Sequence, residues 1–170
     1  MTELGDPLIR RAAVERHAGR SNDVIDLDAL YRAHRLRFIR LATAITLDRS
    51  VAEEVVQDAF ANLQRQGDHI DNSVAYLQRS VVNKSISVVR RRRTAAKYPL
   101  PKPSPALNPD IDETWAAVSA LPVRERAVVV LRYWLDLSDA DIASWLGWPT
   151  GTVKSTLHRA LKRLRKELPQ

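Results

Sequence analysis

The stretch SDADIASWLGWPTGTVKSTLHRALKRLRKEL, residues 138–168, decides the fold. Ser138 with Asp141 three residues on is close to a capping box, so a helix starts there and runs to Leu146. Gly147 ends it, and Pro149 keeps the next few residues non-helical. A longer helix follows from about Gly151 to Leu168. Two helices joined through Gly147-Trp148-Pro149-Thr150 make a helix-turn-helix pattern. Ile142, Ala143, Leu146, Gly147 and Val153 fall where that motif wants apolar, small, apolar, turn and apolar residues. Ala143 is small because two helices cross there. In the last helix Val153, Leu157, Ala160, Leu161 and Leu164 form the core-facing stripe, which leaves Lys154, Ser155, His158, Arg159 and Lys162 facing out. From Gly147 onward six Lys plus Arg stand against one acid, Glu167. A basic helix with its first turns exposed is how such motifs enter the DNA major groove. An Arg there bonds a guanine edge bidentately, worth about 1–3 kcal/mol of discrimination. An ordinary solvated basic helix is the plain alternative. It does not explain why the turn chemistry and the charge asymmetry coincide.

Two helices precede this pair, Glu113–Leu121, ended by Pro122, and Val123–Leu135. Before them Pro99, Pro101, Pro103, Pro105 and Pro109 hold the chain extended and interrupt helical periodicity on both sides. Residues 97–111 therefore read as an interdomain linker. Residues 25–96 form a first module of three long helices. Leu27, Leu30, Tyr31, His34, Phe38, Leu41, Ala42 and Ile45 share one face of the first, which Asp26 or Asp28 can cap. The second runs from about Ser50 to Arg65, stopped by Gly67, and the third from near Ser73 into the run Arg90–Arg93. Nothing reads as a strand. The expected fold is all-α: two small helical domains, 25–96 and 112–170, joined by a Pro-rich linker, the second a helix-turn-helix domain. Residues 1–24 read as a flexible arm, with room for a short helix over 8–17.

Composition narrows the function. The chain has 170 residues, 27 Lys plus Arg against 20 Asp plus Glu, a net charge of +7 and a pI of about 10.1. That balance points toward polyanions. With no Cys there is no disulfide scaffold, thiolate zinc site or Cys nucleophile. His17, His34, His69 and His158 lack metal-ligand spacing, and no phosphate loop or Ser/His/Asp arrangement is evident. No metal, no cofactor and no enzymatic activity are expected. His34 reads as a packing residue; three of the four Trp read as core, with Trp148 partly exposed. The longest apolar run, Ala127–Leu131, is far too short to span a bilayer, and residues 1–24 do not read as a secretory signal.

Two faces in the first module carry chemistry. From Asn72 to Pro109 there is no acid but eight Lys plus Arg. Tyr76, Ser80, Asn83, Ser87 and Arg90 share one face of the third helix, where a ring can stack on an unpaired base and an amide can bond a base edge. For Ser80 and Ser87 a solvated polar face is the simpler reading. The Arg90–Arg93 run suits phosphates rather than bases. The second helix carries Glu53, Glu54, Gln57 and Asp58 on one face. That face is either a docking site for a basic protein surface or a solvated helix face.

At this point the residues resemble a known family. Ala52-Glu-Glu-Val-Val-Gln-Asp-Ala-Phe60 is similar to the core-binding helix of bacterial sigma factors, and Ala75-Tyr-Leu-Gln-Arg-Ser-Val-Val-Asn83 with Arg90–Arg93 to their promoter-melting helix. Leu121-Pro-Val-Arg-Glu-Arg-Ala-Val-Val-Val-Leu-Arg-Tyr133 and Leu137-Ser-Asp-Ala-Asp-Ile-Ala143 resemble the start of their fourth domain. Gly151-Thr-Val-Lys-Ser155 with His158-Arg-Ala160 resembles its recognition helix. Two domains, a linker and little else resemble the extracytoplasmic-function group, in its actinobacterial wording.

The resemblance implies a transcription initiation factor that binds core RNA polymerase, directs it to two-element promoters and assists melting of the minus-ten element. Glu53, Glu54, Gln57 and Asp58 would dock on the β′ clamp helices. Gly67 and His69, from the 66–73 loop, with Tyr76, Arg79, Asn83, Arg90 and Arg91 would hold the minus-ten element. Thr152, Lys154, Ser155, Thr156, His158, Arg159 and Lys162 would read the minus-thirty-five element. Tyr76 stands where many members carry Trp, Ser87 where many carry Asp, and Thr156 where many carry Arg, so an arginine contact common in the family is missing. Further implied partners are the β flap, promoter DNA and an anti-sigma factor, with no membrane insertion and a cytoplasmic, nucleoid-associated location. The alternative is a stand-alone helix-turn-helix regulator whose first module dimerises or senses.

Overall fold

A computed structural model describes residues 26–66, 70–95 and 113–167. The arm 1–24, the linker 97–111 and the minus-ten candidates Gly67 and His69 lie outside the described residues. Among the described residues seven helices follow in order: α1 (Leu27–Thr46), α2 (Arg49–Gln66), α3 (Ser73–Ala95), α4 (Glu113–Ala120), α5 (Val123–Val129, continuing as a π-helical turn over Val130–Trp134), α6 (Asp139–Leu146) and α7 (Thr150–Glu167). There is no strand among the described residues, so the all-α expectation holds.

Local chemistry sets the helix ends. Asp26 Oδ1 accepts from the Ala29 amide at 2.9 Å, Asp48 Oδ1 from Val51 at 3.1 Å and Asn72 Oδ1 from Ala75 at 2.9 Å, each capping a helix start in the first module. Leu47 ends α1 at φ 61°, its amide donating to Thr43 O at 2.8 Å. α1, α2 and α3 then pack around Phe38, Ile45, Val56, Leu63, Leu77, Val81 and Val82, all but closed to solvent. His34 lies half-buried against the Phe38 ring, 5.8 Å between centroids, which fits a packing role.

The second module differs from expectation in three places. The helix from Val123 widens at its end, where the Leu135 amide reaches back to Val130 O at 3.3 Å. This π turn leaves Tyr133 exposed and Trp134 half-buried. Pro149 does not delay α7. Its carbonyl accepts from Thr152 at 2.9 Å and Val153 at 3.2 Å, so the helix starts at Thr150. All four Trp are half-buried rather than three being core, and Trp148 lies under the Arg124 guanidinium, 4.2 Å from it.

The two modules are not separate bodies on a string. α5 packs on both α1 and α3, and α6 packs on α3. One apolar cluster runs from Phe38 and Leu77 through Val128 and Leu131 to Ile142 and Val153. Ala117, Leu121, Val129, Ala160 and Leu164 form a smaller cluster between α4, α5 and α7.

Candidate nucleic-acid and partner interfaces

The helix-turn-helix is built as its sequence requires. Ser138 Oγ accepts from the Asp141 amide at 3.1 Å and donates to the Asp141 carboxylate at 2.6 Å. Gly147 sits at φ 66°, and the Trp148 amide closes onto Ala143 O at 3.0 Å. This is the left-handed cap that glycine tolerates best. It aims α7 away from α6 and seats Val153 fully in the core.

On α7, Lys154, Ser155, His158, Arg159 and Lys162 are exposed and Thr152 is half-buried. Thr156 requires a correction. It is 3 % exposed, on the interior side with Val153 and Ala160, and its Oγ1 accepts from Arg159 Nη2 at 3.2 Å. Three residues on from Val153 and four before Ala160, it falls on the inner stripe of a 3.6-residue helix. It cannot touch DNA from there; it props Arg159 instead. The outer flank continues as an open groove of about 380 Å³ between α4 and α7, lined by Arg159, Lys162, Arg163 and Lys166 among others. Arg163 is anchored by the buried Glu125 carboxylate at 3.0 Å.

The α2 face is open to a partner. Glu54, Gln57 and Asp58 are exposed and Glu53 half-buried. Glu53 pairs with Arg49 at 3.1 Å and Asp58 with Lys84 at 3.3 Å. Surface pairs of this kind are worth about 0–1 kcal/mol, so a stronger cation can displace them.

The α3 face is held differently. Tyr76, Ser80, Asn83 and Ser87 are half-buried; Arg79, Arg90 and Arg91 are exposed. Gln66 Nε2 donates to Tyr76 Oη at 3.1 Å, fixing the ring against the end of α2. Asn83 Nδ2 donates to Arg79 O at 3.0 Å within α3 and to Trp145 O on α6 at 2.8 Å. The structure thus brings Tyr76 and Asn83 to one face, but with the Asn83 amide already committed to the second module.

Sequence reasoning missed Arg126. It is buried on α5 and donates from Nε and Nη2 to Ile45 O of α1 at 2.9 and 2.6 Å. Its Nη1 donates to Ser119 O at 3.0 Å and Leu121 O at 2.9 Å. Burial pushes the guanidinium down to about 10, still charged at neutral pH. The available signal was phase: Arg126 lies three after Val123 and four before Val130, on the inward side of an apolar helix.

The architecture agrees with comparisons to known proteins. Residues 30–95 match the family Sigma-70 region 2, and residues 111–164 match Sigma-70, region 4. The chain is 32% identical over 156 residues to the RNA polymerase sigma-E factor of Streptomyces antibioticus, covering 86% of each chain. It is 33% identical over 156 residues to the ECF RNA polymerase sigma factor SigM of Mycobacterium tuberculosis, covering 87% of this chain and 80% of that one. The sigma factor RpoE of Bartonella quintana, solved in complex with the anti-sigma factor NepR, shares the fold at a TM-score of 0.61 and 22% identity, over 84% of this chain and 96% of that one. With both sigma regions in order and relatives matched over nearly their full length, the chain belongs to the sigma-70 family of RNA polymerase sigma factors, in its extracytoplasmic-function group.

Proposed function

We propose that α2 docks this sigma factor on the β′ clamp helices of core polymerase through Glu53, Glu54, Gln57 and Asp58. In the same reading α3 captures the displaced minus-ten strand through Tyr76, Arg79, Asn83, Arg90 and Arg91, together with Gly67 and His69. α7 reads the minus-thirty-five element through Thr152, Lys154, Ser155, His158, Arg159 and Lys162, beside the β flap. The chain performs no covalent chemistry: binding energy to unpaired bases offsets the cost of separating the strands. It works in the cytoplasm at the nucleoid. No helix among the described residues is long and apolar enough to cross a membrane. An anti-sigma protein holds it off polymerase, as NepR complexes the Bartonella sigma factor.

One observation carries this reading. A single chain presents an exposed acidic helix face, at Glu54, Gln57 and Asp58, and an exposed basic one, from Lys154 to Lys162. The first repels DNA and suits a cationic protein surface; the second suits DNA. The test is size-exclusion chromatography of the purified chain with actinobacterial core polymerase at moderate salt. Co-elution near one-to-one, lost in the Glu54→Lys/Asp58→Lys variant, is expected. Separate elution from competent core enzyme would overturn it in favour of a stand-alone regulator.

A further inference from the structure

One ion pair of the second domain is built in a way that stability does not explain. Glu125 of α5 is 7 % exposed, and its Oε2 lies 3.0 Å from Nε of Arg163 on α7, whose side chain stays 60 % exposed. Taking a carboxylate out of water is costly, and a partner left in solvent returns little of that cost. An apolar side chain of similar volume would serve the core as well or better. What the pair does achieve is to hold a guanidinium outward. Nε faces the carboxylate, while the Nη1 and Nη2 edge, the fork that grips two oxygens, has no partner among the described residues.

Arg159, one turn earlier, is held in the same manner, by the buried Thr156 hydroxyl at 3.2 Å. Arg159, Arg163 and Lys166 are spaced by four and three, so they share one stripe of α7. That stripe forms one wall of the groove against α4, which Ala117, Ala120 and Leu121 line on the other side. Glu167, the acid of the lining, is the last residue of α7. Arg159 and Lys162 belong both to this groove and to the proposed reading face, so the two surfaces are continuous.

Length separates their tasks. From Thr152 to Lys162 α7 rises about 15 Å. That already exceeds the width of a major groove, roughly 12 Å. The next turn therefore comes up against a strand backbone and not a base edge, as the C-terminal end of the reading helix does in homeodomains.

We infer that Arg163 and Lys166 form a phosphodiester site on the promoter backbone bordering the minus-thirty-five element, with Glu125 as the positioning residue that aims Arg163. This rests on the reading of α7 given above, and the test separates the two. Single methylphosphonates, each replacing one charged phosphate oxygen by a methyl group, are walked along both strands around that element of a promoter selected by the reconstituted holoenzyme. With the wild-type chain, neutralising the gripped phosphate should weaken binding about tenfold. In Arg163→Gln the same substitution should cost less than about twofold, and the slope of log K against log salt should fall by about one. Lys166→Gln should lower the slope in the same sense. Base preference should stay as it was in both variants, because phosphate contacts carry no sequence. Glu125→Gln removes a negative charge, so charge alone predicts tighter binding; loss of aim predicts a methylphosphonate penalty reduced to about threefold. Arg163→Lys keeps the charge without the fork and should behave likewise, so it serves if Glu125→Gln loses helicity by circular dichroism. The site is overturned if no phosphate loses its penalty in Arg163→Gln. It is overturned equally if that variant instead loses co-elution with core polymerase, which would make the stripe a protein contact. An unchanged penalty in Glu125→Gln with helicity retained overturns the positioning role. Unchanged base preference in Arg159→Ala would fail the reading-face assignment, while the Arg163 pattern would still support the phosphate site. If the chain does not co-elute with core enzyme, the sigma reading fails and the same walk on the duplex that the free chain selects decides the site.

Discussion

The two surfaces suited to nucleic acid are held in opposite states. On α7 the proposed reading residues Lys154, Ser155, His158 and Arg159 are exposed, each projecting from a helix whose inner stripe is seated in the core. On α3 Tyr76, Asn83 and their neighbours are half-buried, and Asn83 is bonded across the domain boundary. Both are basic helices with a polar stripe at helical spacing. Composition does not separate them; tertiary packing does. A duplex-reading helix can stay exposed because isolated duplex contacts are weak and reversible. The face proposed to hold unpaired bases carries an amide, at Asn83, whose donors a protein carbonyl satisfies equally well.

That contrast can be broken at the boundary between the domains with the largest effect. Arg126→Ala should cost about 3 kcal/mol of unfolding free energy, because it orphans the carbonyls of Ile45, Ser119 and Leu121 and leaves a void. Urea denaturation followed by circular dichroism measures it, and a loss below 1 kcal/mol would show that the buried contacts are worth little. From the α7 side, Thr156→Arg supplies the arginine that the family resemblance implies but puts it on an inner stripe only 3 % exposed. It should lower stability by about 1–3 kcal/mol without improving promoter binding. A tighter promoter complex at unchanged stability would show that position 156 can face the groove.

Gly147→Ala probes the joint that aims α7. A Cβ there meets nothing within 4 Å, so only the φ of +66° is penalised. The expected loss is about 1 kcal/mol, read as a fall in Tm of a few degrees. The smallest effect lies away from both faces. Burial, with the Arg37 charge adding to it, holds His34 below its usual 6.5. As pH falls below 6.5 the unfolded chain takes up that proton before the folded chain does. Stability therefore drops in the window just under pH 6.5 and is unaffected above it. His34→Gln should remove that part of the pH dependence, compared by urea unfolding at pH 7.5 and 5.5.

Much of this was legible from residues alone. The caps at Asp26 and Ser138, the Gly147 stop and the inner stripes are local, and local chemistry decided them. Thr156 was misplaced because the family resemblance set it among the reading residues, although its phase, three after Val153 and four before Ala160, puts it on the inner stripe. The π turn after Val129 also gave no sign in its composition. The domain contact was not legible for a different reason. It depends on a guanidinium meeting a carbonyl 81 residues away and an amide meeting one 62 residues away. Backbone acceptors leave no mark in a sequence, and a proline-rich connection suggests independence that packing need not respect. Arg126 was visible only as a charge in an apolar phase.

The division of labour between α3 and α7 is tested most directly by footprinting on a promoter selected by the reconstituted holoenzyme. Permanganate reports unpaired thymines at the minus-ten element, and nuclease protection reports the minus-thirty-five element. The account predicts that Asn83→Ala loses permanganate reactivity while keeping upstream protection, and that Arg159→Ala weakens upstream protection with polymerase binding intact. Equal loss of both signals in both variants, or upstream protection unchanged in Arg159→Ala, would contradict it.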